Sequence, residues 1–139
     1  MHWLCKTTIL MSACALLSVC DTVWADDATI PNSNPLSGDA KAIKEGRDWY
    51  QNVCNICHGS RANGETARGG RAADLRIFNR GFRAYVETVK KGRNTTGLAY
   101  SMPAWDGVLD DQTIYQIGAY LETLATEGAN WKEGRAADQ

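Results

Sequence analysis

The chain has 139 residues, 44% of them hydrophobic, and a formal charge of −1 at neutral pH. That length and composition supply one globular domain with an ordinary core. The near-balance of charge excludes bulk nucleic-acid binding and general attraction to an anionic membrane.

Residues 1–25 read as a cleaved export signal. His2 and Lys6 give a positive start, Thr7 to Val19 is mostly apolar, and Val23-Trp24-Ala25 places small residues before Asp26. A stable membrane anchor is not expected, because the apolar run falls short of the ~20 residues a spanning helix needs and Asp21 interrupts it. Lipidation at Cys20 is the second reading, although Val19 is a poor residue to precede a lipidated cysteine. Cleavage after Ala25 removes one basic and one acidic residue and leaves the charge at −1. Of five cysteines only Cys54 and Cys57 remain, of two histidines only His58, and of three methionines only Met102.

Residues 26–40, with Pro31, Pro35 and several turn formers, are expected to be a flexible linker. A domain over 41–126 follows. Lys41 to Val53 places Ile43, Gly46, Trp49/Tyr50 and Val53 at helical spacing, with Asp39 as N-cap. Gly59 to Gly70 is a glycine-rich loop. The next helix is expected from Asn79 to Lys91, with Phe82, Tyr85/Val86 and Val89 on one side; Lys90 and Lys91 complement its C-terminal dipole, and Gly92 lies just past its end. Arg93 to Leu109 is loop. Asp110 or Asp111 caps a last helix whose buried stripe is Ile114, Ile117, Gly118, Leu121 and Leu124/Ala125. Residues 127–139 form a polar tail, apart from Trp131, that wraps the surface or frays. No segment alternates as a strand, so the fold class is all-α, with short helices and long loops.

Charge is unevenly distributed. Arg61 to Arg93 carries nine basic residues against three acidic ones, whereas Asn94 onward carries seven acidic against two basic. Such blocks are either solvated surface or a docking face.

Cys54-Asn55-Ile56-Cys57-His58 is a CxxCH motif. Two thiols at this spacing can add to the two vinyl groups of one haem, and the adjacent histidine reaches the iron from the same side. Three competitors exist. A zinc site needs four ligands, more than the two thiols and one imidazole left here. A redox dithiol needs a βαβ setting that is missing. A plain disulfide is the third. For the second iron ligand, Met102 is the one remaining methionine and stands before Pro103 in a loop, 44 residues after His58. A lone methionine is more often core filler; an open iron position is the rival arrangement.

These residues resemble class I monohaem c-type cytochromes. Gly46 and Trp49/Tyr50 before CxxCH, Gly59 and Gly64 after it, Met102-Pro103-Ala104-Trp105, and Tyr120-Leu121 carry the resemblance, which covers Lys41 to about Ala125. It implies a cytochrome c fold, one covalent haem c, and a contact of Gly46 with Tyr120 between the first and last helices, eased by Gly118. The family often has Gly-Pro before the leucine that follows the motif, where this chain has Ala72-Ala73-Asp74-Leu75. Phe82 to Gly92, Pro103 to Leu124 and Glu127 to Trp131 also resemble cytochromes of methanol metabolism, which serve quinoprotein (PQQ-dependent) alcohol dehydrogenases.

The expected function is therefore electron carriage in the periplasm rather than an enzyme activity. Cys54 and Cys57 attach the haem, and His58 and Met102 ligate its iron. The partners are redox proteins: a quinoprotein dehydrogenase as donor and an oxidase or cytochrome as acceptor, with the chain a monomer. The competing readings are a haem enzyme or gas sensor with an open sixth position, and a cytochrome subunit fixed to a dehydrogenase or oxidase complex.

Overall fold

A computed structural model describes residues 30–66, 72–94 and 101–132. The expected export signal, Cys20, residues 26–29 of the linker and residues 133–139 of the tail lie outside them. Among the described residues there are helices and turns and no strand; the one extended pairing is an isolated bridge between Arg93 and Met102.

The first helix, α1 (Ala40–Trp49), starts at Asp39, whose carboxylate accepts from Ala42 N–H at 2.7 Å. It does not stop where the apolar spacing suggests. A π-helical turn, Tyr50–Cys54, and a last helical turn, α2 (Asn55–His58), carry it through the CxxCH motif. Residues four apart in an α-helix drift about 40° around the axis. The wider π turn reduces that drift, so Gly46, Tyr50, Cys54 and His58 form a single stripe. Tyr50 is fully buried, whereas Trp49, the other half of the expected pair, is 43% exposed.

α3 (Phe82–Lys91) buries Phe82, Tyr85, Val86 and Val89, and α4 (Asp111–Thr123) buries Ile114, Ile117 and Leu121. Asp110 caps α4 through Thr113 N–H at 2.7 Å. α3 begins three residues later than the periodicity predicts because the preceding segment bonds elsewhere: Gly81 N–H donates to Asn130 O at 3.1 Å and Asn130 N–H to Phe78 O at 2.9 Å. Lys90 at the end of α3 pairs with Asp111 at the start of α4 at 2.6 Å, each at the helix end its charge favours.

Both flanks are more ordered than expected. In the segment read as a flexible linker, Asn34 is buried and donates to Tyr115 O at 2.9 Å, and Ser37 donates to Glu122 at 2.5 Å. The start of the tail docks as well. Trp131 is buried against the rings of Phe78 and Tyr85, with centroids 4.9 and 5.3 Å away.

α1 packs on α4 at a backbone-to-backbone crossing. A methyl group on Gly46 would lie 1.8 Å from Gln116 O and 2.8 Å from Ile117 N. The contact expected between Gly46 and Tyr120 is thus corrected by one turn. Tyr120 meets the ring of Tyr50, with centroids 5.5 Å apart, while Gly118 faces Tyr85, Phe82 and Asn34 rather than α1. Helix propensity alone would make Gly46→Ala stabilising by ~1 kcal/mol. The overlap with Gln116 reverses the sign, and a loss of about 3 kcal/mol is expected in denaturant unfolding of the haem-loaded protein.

Candidate functional site

The α1–α4 crossing leaves an apolar crevice that opens to solvent. Tyr50, Cys54 and His58 form one wall, Leu75 and Phe78 a second, and Tyr85, Thr88 and Val89 of α3 a third. Met102, Trp105 and Leu109 come from the loop before α4, and Ile117 and Leu121 from α4 itself. Cys54, His58 and Met102 are therefore brought to one cavity across an otherwise hydrocarbon and aromatic lining. Cys57 is exposed and does not wall it.

The phenols of this lining are satisfied within the protein. Tyr50 Oη donates to Gly59 O at 2.7 Å and Tyr85 Oη to Ile114 O at 3.0 Å. Burial pushes both phenols above their ordinary range, so they stay protonated as donors. Cys54 is pushed up to about 11, by burial and then by Cys57, and stays uncharged. His58 is lowered by burial, opposed by its bond to Ala73 O. A neutral imidazole is the form that presents a lone pair.

His58 Nδ1 lies 3.0 Å from Ala73 O, a contact that makes Nδ1 the donor and leaves Nε2 as the free nitrogen. The loop that brings Ala73 there is wound onto the motif: Gly64 N–H donates to His58 O at 2.9 Å, Ala72 N–H to Gly64 O at 3.2 Å and Leu75 N–H to Ala62 O at 2.8 Å. Where relatives of this type often place proline, Asp74 forms a clasp instead. Its carboxylate accepts from Arg76 N at 2.9 Å, Nε at 3.0 Å and Nη2 at 2.7 Å. The carbonyl of Ala73 and this clasp escape sequence reasoning; the usable signal was Asp74 two residues before Arg76, a side chain able to bond the backbone ahead of it.

Cys54, Cys57 and His58 do not converge on a point: among the described residues no three of His, Cys, Asp and Glu could hold a metal ion together. One thiol in the slot and a second outside it, beside one imidazole whose Nε2 is free, fit a flat porphyrin and do not fit a zinc ion.

A helical shell around such a crevice, with CxxCH on its wall, defines a class I monohaem c-type cytochrome with covalently bound haem c. Residues 41–121 match the family described as cytochrome c oxidase, cbb3-type, subunit III, and the chain belongs to that family. It is 32% identical over 97 residues to the cbb3-type cytochrome c oxidase subunit CcoP of Azospirillum brasilense, covering 66% of this chain and 31% of that protein. To subunit FixP of Bradyrhizobium diazoefficiens it is 32% identical over 82 residues, 58% of this chain and 27% of that one. The chain thus spans less than a third of the length of these relatives. Cytochrome CL of Methylophaga aminisulfidivorans MPT shares its fold at TM-score 0.51 and 22% identity, over 67% of this chain and 59% of that one. The cytochrome XoxG of Methylobacterium extorquens AM1 does so at 0.51 and 18%, over 67% and 56%.

Arg76 holds the Asp74 carboxyl below the ordinary carboxylate range. A lowered folded value adds stability above the unfolded pKa of about 3.9, which is lost as pH falls through the folded value. The stability gap between wild type and Asp74→Asn is therefore expected to be constant above about pH 5 and to close below about pH 4, as read from urea midpoints.

Proposed function

We propose that this chain is an exported electron carrier of the periplasm. In this reading Cys54 and Cys57 form the thioethers to haem, and His58 and Met102 are the axial ligands. The observation that carries it is the convergence of Cys54, His58 and Met102 on one apolar crevice, with His58 turned by Ala73 O. Among the described residues no helix is long and apolar enough to cross a membrane. Bound haem supplies a one-electron iron couple whose potential rises with a methionine ligand and with burial.

The residues around it have three tasks. The aromatic and aliphatic lining excludes water and keeps the local dielectric low, which favours the less charged, reduced state. Ala73 O fixes the imidazole tautomer and raises its basicity. Exposed Ile56 and Cys57 leave the thioether side of the site as the part that a partner reaches.

For the donor we propose a PQQ-dependent alcohol dehydrogenase, with electrons passing on toward a terminal oxidase. Support comes from the segments resembling cytochromes of methanol metabolism. A second reading, a cytochrome fixed within an oxidase complex, is favoured by the family match and by the CcoP and FixP relatives. The described basic residues of the 61–93 block include exposed Arg61, Arg80, Arg83 and Arg93, charge that would suit an acidic partner in either case.

Two measurements test these assignments. The oxidised protein is expected to show a methionine-to-iron charge-transfer band; Met102→Ala should remove it, lower the reduction potential and open the iron to added ligands. An unchanged potential rules out Met102 as a ligand. Mixed with a reduced, purified PQQ alcohol dehydrogenase, the carrier should be reduced at a rate that falls as ionic strength rises past about 0.1 M. No reduction rules out this donor, and a rate independent of salt rules out steering by the basic block.

A further inference from the structure

α3 ends at Lys91, and the carbonyls of its last turn need donors from outside the helix. The segment that carries Met102 supplies them. Trp105 N–H donates to Val89 O at 3.0 Å and Asp106 N–H to Lys90 O at 3.2 Å. Just beyond the helix, Arg93 and Met102 exchange both backbone hydrogen bonds, at 2.9 and 3.0 Å. Met102 therefore has both of its backbone polar groups committed, and it cannot move without breaking its bridge to Arg93, three residues before the amides that cap α3.

Gly92 sits between these two sets of bonds at φ 71° and ψ −176°, a backbone region essentially confined to glycine. A Cβ there would lie 2.6 Å from Met102 O, 2.7 Å from Ala104 N and 2.8 Å from Pro103 C. All three are backbone atoms, so none can swing away as the end of a side chain would. The space that glycine leaves empty is filled by the backbone of the methionine segment.

We propose that Gly92 is the positioning residue for the sixth haem ligand. By letting residues 102–104 lie against the end of α3, it fixes where the Met102 sulfur enters the crevice. The proposal rests on Met102 being that ligand. It differs from a simple helix-stop role for Gly92 in what it governs: a helix stop affects stability, whereas this contact sets the iron's ligand and potential.

The test compares Gly92→Ala with Gly107→Ala in the haem-loaded protein. Gly107 lies in the same loop and also has positive φ, at 74°, but an added Cβ there meets nothing within 4 Å. Gly92→Ala is expected to lose the methionine-to-iron band, to fall in reduction potential, and to bind added imidazole about tenfold more tightly or better. Gly107→Ala is expected to keep all three at wild-type values. Retention of band and potential in Gly92→Ala overturns the proposal, as does equal loss in both variants. A wild-type protein without the band overturns the ligand assignment and this proposal with it. Should Gly92→Ala fail to accumulate, hydrogen exchange of the wild type decides. The Met102 and Trp105 amides should be protected with those of the last turn of α3; exchange faster by more than about tenfold overturns the proposal.

Discussion

The close approach of Gly46 to Gln116 is the constraint on which the rest of the structure depends. With no Cβ on α1 at that point, two backbones touch where helix pairs are otherwise held 8–10 Å apart by side chains. Everything that walls the crevice is measured from there. One and two turns further along the first helix come Tyr50 and Cys54, then His58; on the other side Ile117 and Leu121 continue from the same contact. Tyr50 against Tyr120 and Gln116 Nε2 on Glu45, at 2.5 Å, hold the crossing to one register. A crevice set by backbone contact keeps its width, which matters for a flat cofactor.

The same economy governs the residues proposed as ligands. Neither His58 nor Met102 is oriented by a charged side chain. Ala73 holds the imidazole through a carbonyl, and Arg93 with the last turn of α3 holds the methionine segment through amides and carbonyls. Backbone partners add no titratable group to the crevice beyond those of its own lining, which stays largely apolar. The ionic groups that do stiffen the site, Asp74 with Arg76 and Lys90 with Asp111, lie one step away from it, where solvent moderates them. Residues 73 and 102–104, held by packed backbone, have little freedom to rearrange.

Much of this was legible in the sequence, for reasons that are local. CxxCH, the carboxylate caps Asp39 and Asp110, the apolar stripes of α3 and α4, and Gly92 past the lysines of α3 each depend on neighbours a few residues away. What escaped depends on distant chain. The start of α3 moved because Asn130 claims the backbone of Phe78 and Gly81. Asn34 reads as a turn residue and becomes a buried donor only because Tyr115 O of α4 lies in front of it. The π turn is invisible to a 3.6-residue period, yet it is what aligns Tyr50, Cys54 and His58. Gly46 was identified as a crossing residue, but its partner was placed at the aromatic Tyr120 when the contact is backbone to backbone. Side-chain identity does not encode that.

The described end of the chain closes one side of the site. Residues 126–131 return along the 76–81 segment by three backbone hydrogen bonds and set Trp131 between Phe78 and Tyr85. Its indole N–H is buried with no acceptor among the described residues, and a buried donor left unpaired costs about 1–3 kcal/mol. The aromatic packing must outweigh that loss for the segment to stay docked, so its value lies in what it covers. It covers Phe78, a wall residue of the crevice, and steadies the strip of chain that runs from Ala73 to α3. The domain therefore closes its own haem site on the side where the chain leaves α4.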